Sequence, residues 1–326
     1  MRMLLAVLCV AVACNSPKST VPAQAAPSIA QKNDVRLFSG KHANGTLTVS
    51  FQPGSGHGIS SGVDDTARLW DLASGTEVKR YSGRQYRFQS IAFSPQGDFA
   101  LTPGTDGSLN YWKMDTGQLQ RKLTGGSNIL GAVAVSTDGK WASGGGQDTA
   151  IYLWDLSSNS GSSVRRLEAG GPVAQIAFHS SSRGLYAVLN DGHLCNWSLD
   201  QAKPLRCTTA LAEPVGHAAF SSDGHQALLG GTYGTLVLWD LDKQAEIRKL
   251  EGASGDIVAL ALSPSGAFAL SGGADKTVRL WDVNSGRQMT STQASGDYVS
   301  SVAFSADEKS ALFGTSDGSV ALWQLK

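Results

Sequence analysis

Residues 257–282 read IVALALSPSGAFALSGGADKTVRLWD. β-Forming runs at 257–263, 267–271 and 277–281 alternate with Ser-Pro-Ser-Gly and Gly-Gly-Ala-Asp, and Asn284-Ser285-Gly286 marks a further turn beyond them. Runs this short, broken by Gly, Pro, Asp and Asn, predict antiparallel strands joined by hairpins. One such sheet has little core of its own, so the fold depends on whether the unit repeats.

It repeats seven times. Seven of the eight tryptophans, Trp70, Trp112, Trp154, Trp197, Trp239, Trp281 and Trp323, are spaced by 42 residues, once by 43. Six residues before them stand Asp64, Asp106, Asp148, Asp191, Asp275 and Asp317, with Tyr233 taking that place in the fifth unit. An apolar residue lies nineteen positions before every Trp, preceded by a small one: Ser50, Ala92, Ala134, Ala177, Ala219, Ala261 or Ala303. These small residues are predicted to sit where strands crowd a common axis, and the tryptophans farther out between sheets.

A four-stranded unit of this length ending in Trp-Asp resembles the WD-repeat β-propeller. The pair itself stands at Trp70-Asp71, Trp154-Asp155, Trp239-Asp240 and Trp281-Asp282. The resemblance covers residues 34–326 and implies an all-β, seven-bladed propeller of four-stranded antiparallel blades. In this family the sequence unit is offset from the blade. Residues 34–40 (DVRLFSG) match 77–83 (EVKRYSG), so 35–39 are expected to close the ring against the strand ending at Trp323. The family's Asp accepts backbone N–H groups in the turn before the Trp strand and can join a His–Ser/Thr–Trp network. Only the first unit carries the whole set, His42, Ser60, Asp64 and Trp70. A structural role is therefore expected for all the repeated Asp and Trp residues.

Composition agrees. The chain has 326 residues with 38 Gly, well above average usage of about 7%, as many tight turns require. Lys+Arg and Asp+Glu are 27 each, so the basic excess of a nucleic-acid binder is missing. Residues 1–13 begin Met1-Arg2 and continue MLLAVLCVAVA, an apolar run too short to span a bilayer but suited to an export signal. Ala11-Val12-Ala13-Cys14 resembles the lipobox of bacterial lipoproteins, which implies acylation of Cys14. Ala23-Gln24-Ala25 offers the rival reading, ordinary cleavage and secretion, and an uncleaved segment on an intracellular platform is a third. Residues 14–33 read as a lipidated Cys and a flexible tether, because they are rich in Pro, Ala, Ser and Gln without period. Asn15 in place of an inner-membrane-retaining Asp directs a lipoprotein to the outer membrane, exposed to the periplasm.

Little in the sequence offers chemistry. The six histidines show no metal spacing, no nucleophile elbow is present, and equal repeat lengths leave no insertion to build a pocket. We expect no enzyme, no metal and no cofactor. His57, His179 and His225 read as exposed turn residues. Cys195 and Cys207 flank one hairpin, which leaves two readings. One is a cross-hairpin disulfide suited to an exported chain; in the other, counting round the turn sets Cys195 opposite Thr208, so the thiols face opposite ways.

The resemblance implies protein partners bound at the narrow face. The corresponding positions are Arg84, Tyr86, Arg87, Gln89, Ile129, Tyr233, Asp256, Tyr298 and Ser300. Arg and Tyr are the residue types that dominate interface hot spots. The function expected is a non-catalytic scaffold lipid-anchored in the bacterial envelope. The alternatives are a secreted or periplasmic propeller enzyme or small-ligand binder using the central channel, and an intracellular assembly platform.

Overall fold

The computed structural model describes residues 35–82, 90–104, 106–126, 129–158, 164–252 and 255–325, without the side chain of Tyr233. They form seven four-stranded antiparallel sheets. Blades 1 to 6 each use four consecutive strands; blade 7 takes three from the end of the chain and its outer strand from Val35–Leu37. Val35 pairs with Trp323, Arg36 with Leu322 and Leu37 with Ala321, which closes the ring as the sequence predicts. A 3-10 turn at Thr232–Gly234 is the single helical element among the described residues.

Each tryptophan of the repeat lies on the third strand of its blade, and its partner on the second strand is Gly58, Ala100, Ala142, Leu185, Ala227, Ala269 or Ala311. Side chains directly opposite share one face at about 5 Å, so an indole needs a small neighbour there. Six of the seven have one, and Leu185 is the exception.

The freed volume is filled from the preceding blade. Trp70 packs with Val320 and Leu322 of blade 7, Trp112 with Leu69 and Tyr81 of blade 1, and Trp154 with Leu101 and Leu123 of blade 2. Trp197, Trp239, Trp281 and Trp323 repeat the arrangement against blades 3, 4, 5 and 6. The core is thus seven inter-blade clusters with an indole in each. Cutting the ring anywhere strips one indole of its partner sheet.

Outside the clusters, polar side chains stitch neighbouring blades. Arg36 of blade 7 donates to the carbonyls of Leu72 and Ala73 in blade 1, Lys79 of blade 1 to that of Thr116 in blade 2, and Arg121 of blade 2 to those of Leu156 and Ser158 in blade 3. All three cations occupy equivalent positions on outer strands and reach the turn after the next blade's Trp strand.

The first strands differ from expectation. In blades 1, 3, 4, 6 and 7 the pairing of first and second strands skips one residue, leaving Leu47, Gly131, Ala174, Val258 and Ser300 as bulges. A bulge shifts the in–out alternation and re-aims side chains. All five bulged residues line the central channel, a cavity of about 480 Å³, together with Thr48, Gln175, His217 and Ser301. In these five blades the small residues expected at the axis lie beyond the bulges, and Ala134, Ala261 and Ala303 instead pack into the inter-blade clusters. The channel wall is therefore more polar than those alanines suggest.

Candidate interaction face

Two ends of the ring differ in construction. At one, the loops entering the first strands meet the turns between second and third strands; at the other lie the remaining hairpin turns. At the entry end, buried His42 joins two elements of blade 1. Its Nδ1–H donates to Asp64 Oδ1 (2.9 Å) and its Nε2 accepts from the Ser60 hydroxyl (2.7 Å), which in turn accepts from Trp70 Nε1 (2.7 Å). Burial pushes the His42 pKa below its ordinary value, the pull of Asp64 notwithstanding. Burial also opposes the Asp64 charge, but hydrogen bonds from Thr66, His42 and the Ala43 amide outweigh it and hold the carboxyl far below the usual range.

The arrangement is Ser–His–Asp in type but cannot act as a nucleophile. Ser60 and His42 are wholly buried, and the indole N–H occupies the hydroxyl oxygen. Parts of the set persist elsewhere: Trp112 donates to Thr102 (2.8 Å) and Trp281 to Ser271 (2.9 Å). Asp106, Asp191, Asp275 and Asp317 accept the amide two residues on, from Ser108, His193, Thr277 and Ser319. Asp148 differs in accepting the Tyr152 hydroxyl (2.7 Å). Asp106 is further drawn down to about 2, its burial being outweighed by Lys122 and Ser108.

Blade 5 solves the same problem in reverse. Where Tyr233 replaces Asp, Glu213 in the entry loop accepts from the Thr232 hydroxyl (2.6 Å), so the carboxylate comes from the opposite side of the junction. The sequence hint was the missing Asp together with an acid in the preceding loop, but nothing local links residues 213 and 232.

Of the predicted binding residues, Ile129, Asp256 and Tyr298 are spread over this end. Asp256 of blade 6 and Tyr298 of blade 7 are exposed, on backbone fixed by the Ala274 amide to the Asp256 carbonyl (3.1 Å) and the Ser316 amide to the Tyr298 carbonyl (3.0 Å). Ile129 stands half-buried in blade 3, separated from both by intervening blades. Ser300 is a channel bulge with its hydroxyl buried and without a partner among the described residues, so it belongs to the channel and not to the outer face. Cys14, Arg84, Tyr86, Arg87, Gln89 and the Tyr233 side chain lie outside what the structure describes.

Of the two readings of the cysteines, the structure holds the first: Cys195 pairs with Cys207, not Thr208, and the two form a disulfide. Positions two before and ten after the Trp face each other here, as Arg68 and Arg80 do in blade 1, whereas the longer turn of blade 3 sets Tyr152 opposite Arg166. Turn length and bulges fix register, and a one-residue slip reverses every side chain. His179 is half-buried against Tyr186, ring centroids 4.2 Å apart, and burial lowers its pKa; it is no exposed turn residue. His225 is exposed and pairs with Asp242 at 2.6 Å.

The family model described as WD domain, G-beta repeat matches residues 117–155, 244–282 and 286–324. Three of the units are WD40 repeats. Each match runs from the outer strand of one blade to the third strand of the next, the offset that lets Val35–Leu37 complete blade 7. WD40 propellers are typically non-catalytic scaffolds for other proteins. A comparison with curated proteins gives no match. Among the described residues no group of three His, Cys, Asp or Glu could hold a metal, and no helix is long and apolar enough to cross a membrane.

Proposed function

We propose that the chain is a non-catalytic interaction scaffold, exported to a bacterial envelope and anchored through an acylated Cys14, with 14–33 as tether and 34–326 as the propeller. The observation that carries the binding role is the pair Tyr298 and Asp256, exposed in adjacent blades on backbone tied to its own blade. An aromatic on a fixed mount binds with little ordering cost, and Tyr is enriched among hot spots. Export is supported by the apolar run before Cys14 and by the Cys195–Cys207 disulfide, a bond at home in an oxidising compartment.

A photocrosslinking amino acid placed at position 298 or 256, compared with position 74 at the opposite end, tests the face. A discrete protein adduct from the first two and none from the third is expected; equal capture from all three overturns it. Fatty-acid labelling of the wild type that disappears in Cys14→Ser is the result expected for the anchor, and no label in either removes it.

A second reading has its own observation. The channel wall offers Gln175, Asn190, Ser301 and His217, the last pushed down in pKa by the protein around it, to a small uncharged polar ligand. Saturation of a thermal shift by one such compound, abolished in His217→Ala, would favour it.

A further inference from the structure

Charge is sorted in this neutral molecule. The seven outer strands carry eleven Lys or Arg, against Glu77, Glu168 and Glu246 alone, which leaves an equal acidic excess on the rest of the chain. No three adjacent blades exceed the imbalance of blades 2 to 4. The strands Gln118–Leu123, Val164–Glu168 and Arg206–Thr209 hold Arg121, Lys122, Arg165, Arg166 and Arg206 with Glu168 as their one acid.

These charges are left largely uncancelled. Arg121 is held by carbonyls, which fix its position without neutralising it. Lys122 pairs with Asp106 (2.7 Å), whereas Arg165, Arg166 and Arg206 are exposed and have no carboxylate partner among the described residues. Blades 3 and 4 also touch along this arc, where the Glu168 amide donates to the Ala202 carbonyl, and exposed Lys203 follows in the same turn.

Aliphatic side chains share the surface. Leu119 and Leu205 are 36% and 55% exposed on the same arc, and Val78, Ile247 and Met289 hold comparable positions elsewhere on the rim. Cations interleaved with aliphatics suit a bilayer surface, where anionic headgroups attract the charge and the acyl boundary takes the apolar groups. Nucleic acid fits less well, because none of the exposed apolar residues of the arc is aromatic and could stack a base.

We propose that the rim of blades 2 to 4 docks on the surface of an anionic phospholipid bilayer. The propeller then stands edge-on, with the entry end open sideways. The inference does not depend on acylation, and its test uses the unacylated chain.

Full-length Cys14→Ser protein is sedimented with phosphatidylcholine vesicles, with and without phosphatidylglycerol. Binding to the anionic vesicles should exceed that to the zwitterionic ones and weaken with salt. A cation near such a surface contributes about fivefold, so Arg165→Gln/Arg166→Gln/Arg206→Gln should bind on the order of 100-fold less. Lys140→Gln/Lys309→Gln, at the other hairpin turns, should bind as before. Circular dichroism melts check that each variant folds. Equal binding to both vesicle types, or a triple variant that binds anionic vesicles like its parent, overturns the proposal. So does a larger effect of the triple substitution on duplex DNA binding than on vesicles.

Discussion

Val35 is the cross-strand partner of Trp323, so the first described strand and the last share one sheet. Phe38, three residues on, is buried against Trp70 with ring centroids 5.3 Å apart, and Arg36 between them clamps the Leu72 and Ala73 carbonyls. One short segment therefore completes blade 7 and packs on blade 1.

Removing residues 34–40 should cost far more than removing 15–33. The first deletion opens a sheet edge and strips Trp70 of a neighbour; the second touches none of these contacts. Phe38→Ala alone should cost about 3 kcal/mol or more, the usual range for a buried aromatic. Urea unfolding followed by Trp fluorescence gives the ranking, and equal midpoints for the two deletions would refute it.

The Ser60–His42–Asp64 chain makes stability fall in acid. His42 has a depressed pKa in the fold, so the unfolded state binds its proton more readily and stability is lost as pH drops below about 6.5. Asp64 is also depressed, and its contribution, present above about 4, is lost below that. His179 and His217 act in the same direction as His42. His225, raised by its hydrogen bond to Asp242, acts oppositely and is exposed. The urea midpoint should therefore decline between pH 7.5 and 5.5, and His42→Gln should flatten that slope while lowering the whole curve. Ser60→Ala leaves both an imidazole nitrogen and an indole N–H buried and unpaired, which predicts a loss of about 2–4 kcal/mol.

How much of this could be read from the sequence follows from how local each device is. The tryptophan register was legible because every copy plugs the same inter-blade gap; Trp70, Trp154, Trp197 and Trp281 are all but completely buried. His42, Ser60 and Asp64 were legible as a set within one unit. The channel lining was not, since a bulge at Leu47 or Ser300 inverts an alternation that looks regular in the letters. Nor were the Arg36 and Arg121 clamps or the Glu213–Thr232 tie, which join residues on different strands or loops with no pattern between them. The cysteine pairing turned on a single residue of register.

Gly318 marks where blade 7 meets blade 1. Its φ is +94°, its carbonyl accepts the His42 amide (2.9 Å), and a Cβ there would lie 1.9 Å from the His42 carbonyl oxygen. Neither the backbone angle nor the contact admits a side chain. Gly318→Ala should destabilise by at least about 2 kcal/mol, whereas Gly170→Ala, equally left-handed but facing open space, should cost less. Comparable losses in the two variants would show that conformation alone, and not the close approach, sets the penalty.

The disulfide joins Cys195, wholly buried on the third strand of blade 4, to exposed Cys207 on an outer strand of only four residues. That outer strand buries little, its residues being exposed apart from half-buried Thr208, so the covalent link holds what packing does not. Closing a loop of 12 residues restricts the unfolded chain by about 3 kcal/mol on the chain-entropy estimate. Cys207→Ser should lower the unfolding free energy by that order under oxidising conditions. Dithiothreitol should lower the parent to a similar level and leave the variant where it is. A parent indifferent to reductant would mean that the outer strand of blade 4 is secured by its neighbours, the Thr208–Gln244 hydrogen bond to blade 5 foremost among them.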